Sequence, residues 1–206
     1  MSNQTAGYQD LKALWKDGLR EEFSRTAIAF LILVLLAFLA CTVSPDLRNT
    51  AVDQIMGIFS TKNLMTESGK ISFLALFANN LQACIFVMLY GLLPYIKLPA
   101  LGLGLNAGVL GVLMSLSFSE GTVLPFFVGI IPHGIIELPA LLLAFSMGLY
   151  VCGQMTRRCK KDSDALCLTA NLVLISRLLF LILIPMLVIA AMIEAWVTPA
   201  LLLLFS

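Results

Sequence analysis

The chain has 206 residues, of which 60% are hydrophobic and 12% are charged. Globular proteins average about 45–50% apolar and about 25% charged residues, so this chain has too few polar side chains to cover a compact body in water. The mean hydropathy is +0.97 and the net charge is +1. These values exclude a cytosolic enzyme, a secreted disulfide scaffold and a nucleic-acid binder, and they indicate a multi-pass membrane protein.

Residues 1–25 form a charged arm with helical periodicity. Basic and acidic residues are interleaved along it, and Leu11, Leu14, Trp15 and Leu19 recur at helical spacing. This pattern predicts an amphipathic helix on the cytoplasmic surface of the membrane, ahead of a single membrane domain at 26–206.

Apolar runs without charge, or nearly so, follow the arm. Each is close to or longer than the roughly 20 residues that a spanning helix needs. The runs are 26–43, 71–93, 98–119, 121–153 and 165–193. They predict an all-α polytopic fold with five transmembrane helices, or six if 186–205 crosses separately. The long loop at 44–70 has apolar residues at helical spacing and predicts a second surface amphipathic helix.

The distribution of lysine and arginine predicts the orientation. With the N-terminus inside, the inner segments hold nine of these residues and the outer segments hold three. Basic residues concentrate on the cytoplasmic side of membrane proteins, so we expect a multi-pass protein of the cytoplasmic (inner) membrane with a cytoplasmic N-terminus. The densest basic block, 157–161, is expected inside.

Glycines mark the third apolar run as a packing helix. Gly104 and Gly108 form a GxxxG pair, and Gly111 continues the series. Such spacing lets another backbone approach closely, which serves packing within the chain and a homodimer equally well.

The apolar runs contain polar side chains that are costly in hydrocarbon and therefore need partners or a purpose. We predict that they form one intramembrane polar site. Its predicted members are His133, Glu137, Glu194, Asn79, Asn80, Asn106 and Arg177.

The fourth run carries the most unusual segment, 132–140, with the sequence PHGIIELPA. Pro132 and Pro139, with Gly134 between them, predict a break in the helix. His133 and Glu137 are four residues apart, so one helical turn would place both side chains on one face.

Segment 132–140 resembles the signature of the stage II sporulation protein M family. The paired Asn79-Asn80, the glycine-rich third run with Asn106, and the terminal segment 190–199 occur in the same order as in that family. The resemblance implies a bacterial or archaeal protein of the cytoplasmic membrane. In spore formers, the namesake acts during engulfment alongside partners that remodel peptidoglycan.

Three functions are compatible with these features. The first is a non-enzymatic membrane component of a cell-envelope complex, with the lipid bilayer and envelope or peptidoglycan-remodelling proteins as partners. The second is a transporter or channel-like permease that uses the interrupted helix as its site. The third is an intramembrane metal-dependent hydrolase with His133, Glu137 and Glu194 as ligands. The first is preferred, so we expect no catalytic residues and no cofactor.

Overall fold

The computed structural model describes residues 11–60 and 72–205. This part of the chain is helical and contains no strand. We number its helices in chain order: α1 (Leu11–Val43), α2 (Pro45–Ser60), α3 (Phe73–Tyr90), α4 (Leu98–Glu120), α5 (Val123–Cys159) and α6 (Leu168–Leu204).

Within the described residues, all of these helices except α2 are long and apolar enough to cross a membrane. The predicted all-α polytopic fold with five spanning helices is confirmed. The apolar tail at 186–205 continues α6 without a turn, so it provides no separate sixth crossing.

The N-terminal arm is helical from Leu11, as predicted, and it kinks at Asp17 and Gly18. Gly18 has φ of +132°, which a residue with a side chain rarely adopts. The kink turns Leu11 and Leu14 toward the other helices, where both are buried in the main apolar core. The remainder of the arm, before Leu11, lies outside the described residues.

Helix α2 is the predicted second amphipathic helix. Ile55 is buried against Cys41 of α1 and Val112 of α4, with Val52 packed beside them, whereas Met56 is exposed. The end of the predicted loop, 61–70, lies outside the described residues.

Helix α5 is the centre of the assembly, because it packs against α1, α3, α4 and α6. Its residues Met147 and Val151 are fully buried, as are Leu183 and Leu187 of α6. The apolar core therefore follows the C-terminal half of α5.

The predicted break in the fourth span is wrong: α5 is one continuous helix through Pro132, Gly134 and Pro139. A proline inside a helix has no N–H to donate, and its ring clashes with the carbonyl group four residues earlier. In a membrane bundle, neighbouring helices and polar side chains compensate for such freed groups, so a continuous helix remains possible.

The predicted packing role holds for only one of the three glycines of α4. A Cβ atom at Gly111 would lie 2.6 Å from the carbonyl oxygen of Val34 on α1, so only glycine permits this contact. A Cβ atom at Gly104 or Gly108 would meet no atom within 4 Å. The GxxxG pair therefore faces away from the neighbouring helices of its own chain, and a homodimer through it stays a prediction.

The basic segments gather at one end of the bundle. In the turn between α3 and α4, the Tyr95 amide donates to Thr156 Oγ1 near the end of α5, over 2.9 Å. Asp17 and Leu14 of the arm line a cavity with Arg157 and Asp164. The arm, the α3–α4 turn and the α5–α6 turn thus share one end, and Glu120 and Val123 lie at the other.

Candidate functional site

Three of the predicted polar residues meet between α5 and α6. One nitrogen of His133 and one carboxylate oxygen each of Glu137 and Glu194 all lie within 4.8 Å of one another. All three residues are half-buried. We call His133, Glu137 and Glu194 the polar cluster.

The local geometry of two helices explains why these side chains meet. His133 and Glu137 are one turn apart on the continuous α5, so they project from one face. Glu194 lies in a π-helical turn of α6, Ile193–Val197. Such a turn contains one more residue than an α-turn and shifts the direction in which its side chains point, and π turns are frequent at functional sites.

Helix α3 contributes the two paired asparagines. The side chain of Asn80 lies close to the Glu137 carboxylate. Asn79 Nδ2 donates to Asn80 Oδ1 over 3.3 Å, so the Asn80 oxygen already has a donor. The ring of Phe73 on α3 stacks on Trp196 of α6, with centroids 5.6 Å apart, and holds the two helices together beside the cluster.

A cavity of about 600 Å³ reaches the cluster from the end of the bundle opposite the basic segments. Glu120 and Thr122 are exposed at its outer end, and Ser117, His133, Glu194 and Thr198 line it. The cluster is therefore accessible from one end of the molecule, through a passage lined by α4, α5 and α6.

Two buried polar atoms along this cavity have no hydrogen-bond partner among the described residues: Nδ1 of His133 and Oγ1 of Thr198. Thr198 is 5% exposed. Buried polar groups are nearly always hydrogen-bonded to protein or to ordered water, so these two atoms can accept a polar partner from the cavity.

Asn106 adjoins the cluster only across a small cavity, and Arg177 lies far from it. Asn106 Nδ2 donates to the Gly102 carbonyl oxygen of its own helix over 2.9 Å. It shares only a smaller cavity, of about 150 Å³, with Glu137. Arg177 is half-buried on α6, seventeen residues before Glu194, or about 25 Å along the helix axis. An arginine side chain does not span that distance.

Thr198 lines the same cavity as His133 and Glu194 but is not among the predicted members of the site. It belongs to the terminal segment 190–199, which carries part of the family resemblance. The available signal was position: Thr198 follows Glu194 by four residues, so both side chains fall on one face of a helix.

The donor set of the cluster is one imidazole and two carboxylates, which is a combination that binds divalent metal ions. The salt bridges of the described residues lie elsewhere, between Arg25 and Glu21 or Glu22 and between Arg157 and Asp162. No arginine or lysine of that part of the chain therefore forms a salt bridge with Glu137 or Glu194. The arrangement can bind a cation, exchange protons or hold water.

Comparison with known proteins assigns the family. The sequence model described as stage II sporulation protein M matches residues 26–199. The chain belongs to the stage II sporulation protein M family. The match includes both segments that supply the polar cluster and the asparagine pair of α3, so the site lies wholly within the family's own region. The comparisons with curated proteins and with solved structures gave no match.

Proposed function

We propose that this stage II sporulation protein M family member is an integral component of a cell-envelope complex in the cytoplasmic membrane, and that the polar cluster is its functional centre. The convergence of His133, Glu137 and Glu194 within 4.8 Å carries the proposal. Ionisable side chains at membrane depth are costly and usually mark a functional site. Helix packing alone would be served by apolar side chains or by a single asparagine.

The position of the cluster supports this role. His133 lies ten residues into α5 and Glu194 ten residues before the end of α6, so both are about 15 Å from the same end of the bundle. A hydrocarbon core is about 30 Å thick, and we propose that the cluster lies within it. The cluster also connects to one end through the cavity of about 600 Å³.

The family and the charge distribution support the setting of the protein. The basic segments lie together at one end, which we propose faces the cytoplasm. The family's name links it to spore formation, and envelope or peptidoglycan-remodelling proteins are the proposed partners.

The test is complementation in a strain of the source organism that lacks its own copy of the protein. Glu137→Gln keeps the size of the side chain but removes its charge. We expect cells that carry this variant to show no more envelope function than cells that carry the empty vector. Glu120→Gln, at the mouth of the same cavity, is the matched control and should retain wild-type function. Equal function of the two variants at equal membrane abundance would contradict the proposal.

Transport is the second candidate, and the cavity favours it. A passage from one end of the bundle to ionisable groups near mid-membrane is the arrangement that secondary transporters use. Uptake of protons or divalent cations into proteoliposomes, abolished by Glu137→Gln, would support transport. Wild-type vesicles no more permeable than protein-free ones would exclude it for these ions.

A further inference from the structure

We propose that the polar cluster is the binding site of one divalent transition-metal ion, ligated by His133, Glu137 and Glu194. This inference rests on the proposed function, in which the cluster is the functional centre, and it names the class of ligand that the cluster holds.

Distances between the donor atoms fit such an ion. Zinc–nitrogen and zinc–oxygen bonds of about 2.0–2.2 Å in tetrahedral geometry place the ligand atoms about 3.3–3.6 Å apart. The donor atoms of the cluster lie within 4.8 Å of one another, so side-chain movements of up to about 1.5 Å would close the site. These are movements that rotamer adjustments supply without a shift of either helix.

Charge balance favours a doubly charged ion. Glu137 and Glu194 together carry two negative charges when ionised, and neutral His133 carries none. Like charges this close in an apolar surrounding oppose each other, and neither carboxylate forms a salt bridge with another described residue. A divalent cation would make the site neutral overall, which is the least costly state at membrane depth.

The unpartnered atoms provide independent support. His133 Nδ1 and Thr198 Oγ1 are buried beside the same cavity without hydrogen-bond partners among the described residues. Metal coordination through Nδ1 would satisfy the imidazole, and a metal-bound water would satisfy the Thr198 hydroxyl. Three protein ligands leave a fourth position for that water, as in zinc sites that remain open to a substrate.

The donor types select the class of metal. Imidazole with carboxylates suits zinc, manganese, iron(II) and cobalt, whereas calcium and magnesium prefer sites made only of oxygen. No cysteine is among the donors, which disfavours copper(I). Zinc and cobalt(II) are therefore the probes of choice.

Asn80 and Asn79 are positioning residues for this site. The Asn80 amide group orients the Glu137 carboxylate, and Asn79 in turn fixes the Asn80 oxygen. Loss of such an outer hydrogen bond typically weakens metal binding by about 10–100-fold.

The experiment measures metal content of the full chain in detergent. Protein is loaded with Zn²⁺, passed through gel filtration in buffer with a weak chelator, and analysed for zinc per chain. We expect about one zinc ion for the wild type and less than about a tenth of that for His133→Ala, Glu137→Gln and Glu194→Gln. Asn80→Ala should bind zinc about 10–100-fold more weakly. The control Glu120→Gln should match the wild type.

A second measurement guards against variants that fail to fold. Wild-type protein loaded with Co²⁺ should show visible absorption typical of nitrogen and oxygen ligands, and added Zn²⁺ should remove it. Wild-type protein with no bound metal and no cobalt spectrum would overturn the inference. Full zinc content in correctly folded His133→Ala or Glu194→Gln would do so as well.

Failure of the metal site and failure of the proposed function give different results. If Glu137→Gln abolishes complementation but wild-type protein binds no metal, the metal site is wrong. The polar cluster is then still the functional centre, and it works through protons or water. If wild-type protein binds zinc at these residues but Glu137→Gln complements fully, the metal site is correct and the proposed function is wrong.

Discussion

The polar cluster shows why a polar group in a membrane bundle needs other polar groups around it. An isolated carboxylate among apolar side chains would either be protonated or raise the free energy of the folded protein. A carboxylate beside an imidazole and an amide has hydrogen-bond partners. The side chain of Asn80 fills this role for Glu137. The clustering therefore follows from solvation, whichever ligand the site holds.

Cys167 provides a prediction for a single residue outside the membrane-spanning segments. It is exposed just before α6, where the backbone amide of Ala170 and the hydroxyl of Thr169, 3.6 Å from Sγ, lower the pKa of its thiol from 9.0. The thiolate is the form that reacts with alkylating agents. A lowered pKa increases the thiolate fraction at neutral pH, so we expect Cys167 to react with iodoacetamide with a pH midpoint below 9.0.

Mass spectrometry of the peptide that contains Cys167, after brief alkylation at a series of pH values, measures this midpoint. Thr169→Val removes the hydroxyl and should raise the midpoint toward the ordinary thiol value. A midpoint at or above that value in the wild type would show that these two donors do not stabilise the thiolate.

At the scale of helices, close backbone contacts fix the position of α5. A Cβ atom at Gly148 would lie 2.5 Å from the carbonyl oxygen of Val87 on α3 and 2.9 Å from Cγ of Pro99 on α4. A Cβ atom at Gly91 would likewise collide with the backbone of Gly148. Helix α5 is therefore held against α3 and α4 where their backbones touch.

This contact predicts unequal effects of two glycine substitutions. Gly148→Ala should destabilise the protein by about 1–3 kcal/mol, because the added methyl group has no space. Gly104→Ala, with no atom within 4 Å of the new Cβ, should be neutral or stabilising by up to about 1 kcal/mol through helix propensity. Thermal unfolding in one detergent compares them. Equal melting temperatures of the two variants would refute this account of the packing.

The prolines of α5 show that the local rule by which proline ends a helix does not hold in this bundle. Pro132 and Pro139 lie inside a helix that continues to Cys159. Tertiary packing along the C-terminal half of α5 outweighs the loss of two internal hydrogen bonds. The continuity matters for the site, since it keeps His133 and Glu137 one regular turn apart.

At the scale of the whole molecule, the two ends differ in charge. The arm, the α3–α4 turn and the α5–α6 turn lie at the basic end, and Glu120 lies at the other. The electrostatic preference for basic residues on the cytoplasmic side predicts which end faces inward.

Cysteine labelling tests this orientation. Cys159 is exposed at the basic end, so a membrane-impermeant maleimide should label it in inverted vesicles but not in intact cells. The experiment uses Cys167→Ser to remove the other exposed thiol, and an added Glu120→Cys as the control for the opposite end. Labelling of Cys159 in intact cells, with Glu120→Cys protected, would reverse the orientation.

The sequence by itself determined the membrane class and the candidate members of the site, and it limited the number of spanning helices to five or six. These properties depend on composition within one segment, because hydrophobic burial in a bilayer acts on each helix separately. It also placed His133 and Glu137 on one face, which follows from helix periodicity alone.

Only the tertiary structure decided which polar residues meet. Glu194 lies beside His133 because α5 and α6 pack together and because a π turn redirects the Glu194 side chain. Asn106 bonds to its own helix, and Arg177 lies too far along α6. Contacts between distant segments depend on the angle, rotation and register of packed helices. These are set by backbone contacts such as that at Gly148, which no local pattern in the chain encodes.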